Sequence, residues 1–512
     1  MKLKKIIFAI CFASLLALQS HVWGLTLTGN KDISNGAVLT GTPDSITPSG
    51  LYTNYYWWAD KDGTGAAGNN ASSGLNLDKY NLTRKGDEGG FTLNLHDGTS
   101  AGNITWNGPG GGKLDTRNNS SHRFGGPITI TNAADITFDE IDTSGRDWYK
   151  KGGHITIHQS GNLTGRLIKS LSSNGNNGIV TLIGGGGLDG TPTGNLYLSA
   201  GIEARERYIE TYPPLIAGYE KVEIGSLGIL NYGSCKVSPA SDKLKIVNIG
   251  DGGINIIGPL SRYLFDSGDY GYTAVLLQTT GGISLSDVST YNAVEGSWVK
   301  TSNCDVNMEA GGDITVTGTI ATYMRAAIGY GTNSGDIAIS TTAGDVKLHN
   351  INSANKQTGK FRAGHLSVTA GGSIEIDGTI NLRSERGNAY CGNLVLQAGN
   401  GKAITLNNLD FGNVNIVSFS GANGTFDITG EIANFDDTAT SGTGAKNDPL
   451  VTTQTKLRIP AGQIVYYVYE AGVLNDALDG LAYRVADLGG TSGAGGILCA
   501  HRPAPGTLLL IK

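Results

Sequence analysis

Charge is scarce in this chain, and positive charge scarcest. Charged residues make up 16% of the sequence, with 38 Lys and Arg against 44 Asp and Glu, a formal net charge of −6. An acidic chain without a basic stripe is a poor partner for nucleic acid, so that class is set aside. Cysteine is nearly absent. Of five cysteines, Cys11 lies in an apolar N-terminal run and Cys235, Cys304, Cys391 and Cys499 are scattered. They are too sparse for a disulfide framework, and no CxxC pair points to a metal site. Long amphipathic helical runs are missing too, because Asn, Ser and Thr fill the polar positions that Glu and Lys fill in helices. A P-loop is absent. Apolar residues are only 39% of the chain, yet they alternate with polar ones, which supports a packed fold rather than disorder.

Glycine is what the chain has in excess: 78 of 512 residues, without the Gly-X-Y period of collagen. The stretch VTAGGSIEIDGTINL, residues 368 to 382, shows how it is used. Strand-like runs at Leu366-Val368, Ile374-Ile376 and Ile380-Leu382 are separated by glycine corners. Ile374 and Ile376 alternate with Ser373, Glu375 and Asp377, the period of a half-buried strand. Equivalent corners fall at Gly253, Gly282, Gly312, Gly344, Gly372 and Gly401, at intervals of 29, 30, 32, 28 and 29 residues. A near-constant period with changing residues marks a solenoid, whose coils bury their apolar faces only by stacking. One-way recurrence of a whole unit predicts a parallel β-helix. Hairpins would need paired turn signals at a shorter spacing.

The N-terminus has the layout of a secretion signal: Lys2, Lys4 and Lys5, an apolar body from Ile6 to Leu18, and a cleavage site near Val22-Trp23-Gly24. That body is too short to span a bilayer, so no transmembrane helix is expected after its removal, which leaves a net charge of −9. Residues 25–90 do not repeat and are expected to form an N-terminal cap. Residues 91–439 carry the coil pattern, enough for about 12 coils and a rod of roughly 55–60 Å at ~4.8 Å per strand. Residues 440–450 read as a linker, and 451–512 as a C-terminal cap or anchoring module with a strand near Ile464-Tyr469. Residues 205–219, with Pro213-Pro214, break the pattern and read as an insertion.

The units AGGDITVTGTI, SGDIAISTTAGDVKL and TAGGSIEIDGTINL, within residues 270 to 410, resemble the repeats of filamentous haemagglutinin and related large bacterial exoproteins. The resemblance implies a right-handed parallel β-helix, secreted or displayed at a bacterial surface in an adhesive or structural role. Its partners would be glycans or proteins of a host or neighbouring cell, with self-association open. The Asn-Pro-Asn-Gly run of that family's secretion domain is missing from the sequence, and the residues after 445 are too few for a membrane barrel of the autotransporter type.

Candidate site residues fall in three groups. Tyr52, Tyr55, Tyr56, Trp57 and Trp58 form an aromatic knot, read either as part of the cap or as a sugar-stacking platform of a non-catalytic glycan-binding protein. The densest polar cluster, Asp139, Glu140, Asp142, Arg146, Asp147, Lys150, Lys151, His154 and His158, is where a polysaccharide lyase or glycoside hydrolase would put its acids and bases. His154 and His158 share the outward face of one strand but lie about 13 Å apart, too far to chelate one metal. The third group is GGGGLDG, Gly184 to Gly190, which partly matches a calcium-binding nonapeptide; one copy cannot build a calcium roll. No catalytic residue and no cofactor is assigned.

Overall fold

In each coil the two branched aliphatics of a strand turn inward and the residue between them turns out, and this alternation sets the architecture. Ile374 and Ile376 are buried while Glu375 between them is exposed. The computed structural model describes side chains over residues 135–144, 152–171, 178–204, 214–228, 243–262, 274–290, 304–322, 333–355, 362–384 and 391–410, with isolated positions elsewhere; for the remaining strands only the backbone pairing is described.

Each coil contributes three short strands, and each strand pairs in parallel with its counterpart one coil on. The column running through Leu163, Leu196, Val222, Ile254, Ile283, Ile314, Val346, Ile374 and Ile404 is in unbroken register. Every member is at most 2% exposed. Burying one such side chain contributes about 1.5–3 kcal/mol, and no single coil could do so alone. The fold is thus an all-β parallel solenoid. No α-helix occurs among the described residues.

The first face of the coil includes Ile155–Gln159, Val180–Ile183, Leu215–Ala217, Leu244–Ile249, Val275–Thr279, Val306–Ala310, Ile337–Thr341 and Leu366–Thr369. The insertion expected over residues 205–219 is corrected here. Arg205 and Glu206 end the strand Asn195–Glu206, Leu215–Ala217 is a rung of the first face, and Tyr219 is fully buried. Pro214 sits at the corner before the rung, where its missing N–H costs no ladder bond. Residues 207–213 lie outside the described part.

Corners are held by a polar ladder. The carboxylate of Asp305 accepts the N–H of Asp336 at 2.8 Å, and that of Asp336 accepts the N–H of His365 at 2.8 Å. The Nδ1 of His365 then accepts the N–H of Asn393 at 2.8 Å. Parallel chains run from Asp135 through Asn162 to Asn195 and from Asp313 through Asp345 to Ser373. Corner N–H groups that have left the strand ladder thereby find side-chain acceptors one coil back.

Further out, Asn54–Asp60 pairs in parallel with Gly90–Asn94, which pairs with Ile128–Thr137. The aromatic segment is therefore a rung of the same ladder. Near the other end Lys456–Arg458 pairs in parallel with Thr425–Ile428 but antiparallel with Ala482–Arg484. Tyr467–Glu470 pairs antiparallel with Val473–Asn475 and with Ile497–Cys499.

Candidate functional site

Between the first and second faces the corner is three residues long after Gln159, Ala217, Ile249, Thr279 and Ala310. After Ile183 it is eleven, because the next strand begins at Asn195. This one long corner, containing the GGGGLDG run, rises as a lip beside the first face. Leu188 at the lip is 55% exposed. Gly194 closes the lip with φ +70, where a side chain would collide with the carbonyl of Gly161, so only glycine serves there.

The lip bounds an open groove of about 1080 Å³ on the outer surface of the first face. Its floor crosses six successive strands, from Thr181 to Ser340, so it runs along the solenoid axis for roughly 24 Å at ~4.8 Å per strand. The outward column Thr181, Leu215, Lys245, Leu276 is in direct register and supplies an apolar and hydroxyl floor. Charge is sorted across the width. Lys243 and Lys245 lie toward the entry corner and have no carboxylate partner among the described residues. Asp189 belongs to the lip, and Glu309 near the strand exits accepts a 2.7 Å hydrogen bond from the Gln278 amide.

A β-bulge anchors the lip. Register slips between Ile246 and Ile249, and within the slip Asn248 takes φ +53, a conformation Asn tolerates better than most residues. Its Nδ2 points into the lip, 2.9 Å from the carbonyl oxygen of Gly190, 3.1 Å from that of Gly187 and 3.4 Å from that of Gly186. Beneath the lip, the buried Gln159 amide donates to the hydroxyl of Tyr219 at 2.6 Å.

The polar cluster of residues 139–158 is divided by the fold. Asp139 and Glu140 lie where the second face turns into the third, held by Arg166 at 2.7 and 3.0 Å, with Lys169 3.8 Å from Glu140. Those two carboxylates raise the Arg166 guanidinium further above its already high value. Asp142 is buried and accepts the N–H of Ser144 at 3.0 Å. His154 and His158 are exposed on the first face, away from these acids, and neither lines the groove. The Nδ1 of His154 accepts the N–H of Ile179 at 2.9 Å, a link in the corner ladder. Although the His158 residue is exposed, partial desolvation of its imidazole against the first face holds it below its ordinary value. Arg146, Asp147, Lys150 and Lys151 lie outside the described residues.

In the aromatic segment Tyr55 and Trp57 are in register with Phe91 and Leu93, whose partners in the next coil are the buried Ile128 and Ile130. Tyr56 and Trp58 share a register with Thr92 and Asn94, the alternate column. Tyr52 lies outside the described residues. The run Gly98-Thr99-Ser100-Ala101-Gly102 has the G-x-S-x-G spacing, but that elbow needs a strand-to-helix turn. Here Gly102–Thr105 is a strand of the solenoid. No group of three or more His, Cys, Asp or Glu side chains converges on a metal position among the described residues. Cys304 is buried against the carbonyl of Thr322 and Cys391 is half-buried.

Fold and groove together define a class: a parallel β-solenoid with an extended cleft on one outer face, bounded by a single long corner. No family model, no curated protein and no solved structure matches the chain.

Proposed function

We propose that the protein is a non-catalytic binding protein of adhesin type, secreted to a bacterial surface, that holds an extended glycan chain along the groove of its first face. The groove carries this reading. It is long and open, follows the axis, and combines the floor leucines Leu215 and Leu276 and the lip's Leu188 with hydroxyl and charged margins. Flat apolar faces of sugar rings suit such a floor, and their hydroxyls suit Gln278, Glu309, Ser340 and Thr342. In the same proposal the coil is right-handed, extends to about 12 turns over residues 91–439, is continued toward the N-terminus by the parallel rung Asn54–Asp60, and is closed at the other end by residues 451–512. Its N-terminal leader and its repeats of the filamentous haemagglutinin kind support export.

Binding of the full chain to a glycan array, with Lys245→Glu and Leu188→Ala as variants, tests the groove. Both side chains are on the surface, so both variants keep the wild-type far-UV circular dichroism. Loss of array binding by at least tenfold in both is the expected result. Unchanged binding in both overturns the assignment to the groove, and release of shortened products from a bound glycan replaces it with an enzyme.

A further inference from the structure

We infer that the groove selects acidic glycans, and that Lys243 and Lys245 together hold one carboxylate or sulfate of the bound chain. The inference rests on the glycan reading of the groove and names the class of sugar it takes. Lys243 and Lys245 flank the buried Leu244 at the start of the strand Leu244–Ile249, so both turn outward into the groove. Two residues apart on a strand, they are about 6.6 Å from each other at the backbone. Their flexible stems can bring both ammonium groups to one anion. Both are half-buried, and a charge partly withdrawn from water is costly unless it is paired. The register neighbours of Lys245 along the axis are Leu215 and Leu276, which offer it no charge.

Other lysines on the outer faces are answered. Lys169, Lys221 and Lys347 have carboxylate oxygens at 3.8, 2.8 and 3.2 Å. In the groove the acids stand apart from the lysine pair. Glu309 is two strands further along the axis and two residues across from Lys245, roughly 12 Å away at the backbone, and is engaged by Gln278. This separation sets the orientation of a bound chain. Its acidic group lies toward the entry corner, while Glu309 repels a second acid and, with Gln278, Ser340 and Thr342, takes the hydroxyl edge. The protein as a whole is acidic, with a formal net charge of −6, so it draws no polyanion to its surface at large. A preference for acidic sugars therefore reports the local pair.

The test uses matched probes on the full chain: oligogalacturonate with its methyl ester, and a sulfated galactan oligosaccharide with its desulfated form. In at least one pair the acidic member is expected to bind at least tenfold tighter, and which pair does so tells carboxylate from sulfate. The preference should shrink between about 0.1 M and about 1 M salt, as the screening length falls from about 10 Å to about 3 Å. Lys243→Gln with Lys245→Gln should bring the acidic member down to the affinity of the neutral one, whose retained binding is the folding control. Lys347→Gln, an equal loss of charge on the second face, should change neither, and Leu188→Ala should weaken both. Equal affinity within both pairs, or a preference that survives the double lysine variant, overturns the acidic class and leaves the glycan reading standing. Binding of no probe and of no member of the glycan array overturns both.

Discussion

The hydrogen bond between Gln159 and Tyr219 gives a quantitative test of coil-to-coil packing beneath the lip. Tyr219 is fully buried and Gln159 is 4% exposed. The Gln159 amide donates to the phenol oxygen at 2.6 Å, while the Oε1 of Gln159 has no partner. Tyr219→Phe leaves the ring in place and strands the Gln159 amide in a dry site, at a cost of about 1–3 kcal/mol. Gln159→Leu strands the phenol instead and costs a similar amount. Replacing both removes donor and acceptor together, so the double variant should lose less than the sum of the singles, with a coupling of about 0.5–3 kcal/mol. Urea unfolding followed by far-UV circular dichroism, with unchanged slope, reads each value from the shift in midpoint. Burial pushes the phenol above its ordinary value and outweighs the opposing Gln159 bond. The cost should therefore be the same at pH 6 and pH 9. A Tyr219→Phe variant within about 0.5 kcal/mol of wild type, the range of an ordinary surface change, would mean that water reaches this pair and that the coils beneath the lip are not closed.

Three further outcomes follow from the packing and the ladder. Gly165→Ala puts a methyl 2.4 Å from the ring of buried Phe138 and should cost about 1–3 kcal/mol, part of it recovered by adding Phe138→Leu; thermal melts of the single and double variants check this. Acid should destabilise the fold in two steps. Burial and then Arg362 hold the His365 imidazole below its ordinary value against the pull of Asp336. Burial raises the Asp336 carboxyl, but its bonds from Arg362 and the His365 N–H outweigh this and hold it low. Both groups bind fewer protons folded than unfolded, so their stability is present at neutral pH. It is lost first below about pH 6.5 and again below about pH 4. His365→Asn keeps a ladder acceptor and should flatten the first step, leaving the share of His158; urea midpoints at pH 7.5 and 5.5 decide it. Arg166→Ala breaks the pairs to Asp139 and Glu140, yet Arg166 is 43% exposed, so a loss of only about 0–1 kcal/mol is expected in urea unfolding.

The stacking was readable in the sequence because each coil repeats its own local evidence. Glycine corners before Ile283, Ile314, Val346 and Ile374 announce aliphatics that the fold places directly above one another. Corners without glycine at the expected spacing were harder. Pro213-Pro214 read as an insertion because Leu215–Ala217 is short and lacks a glycine lead, although its register places it squarely in the first face. The groove left almost no local trace. Thr181, Leu215, Lys245 and Leu276 each look like ordinary outward residues, and only their register, one coil apart, makes them a floor. The polar cluster of residues 139–158 shows the converse, being compact along the chain and divided in the fold. Neighbours along the chain are carried to different faces within a single turn, so Asp139 and His154 end on separate sides. Asn248 is the residue that no pattern announced, since its meaning depends on carbonyls two coils back.

The corner ladder has a direction. In every link described, the acceptor belongs to the earlier coil and the N–H to the later one: Asp135 to Asn162, Asp305 to Asp336, Asp345 to Ser373, His365 to Asn393. A substitution that removes one of these side-chain acceptors therefore orphans an N–H of the following coil and leaves the preceding coil untouched. Damage at a corner propagates one way along the axis, and its first sign should be faster amide exchange one turn downstream.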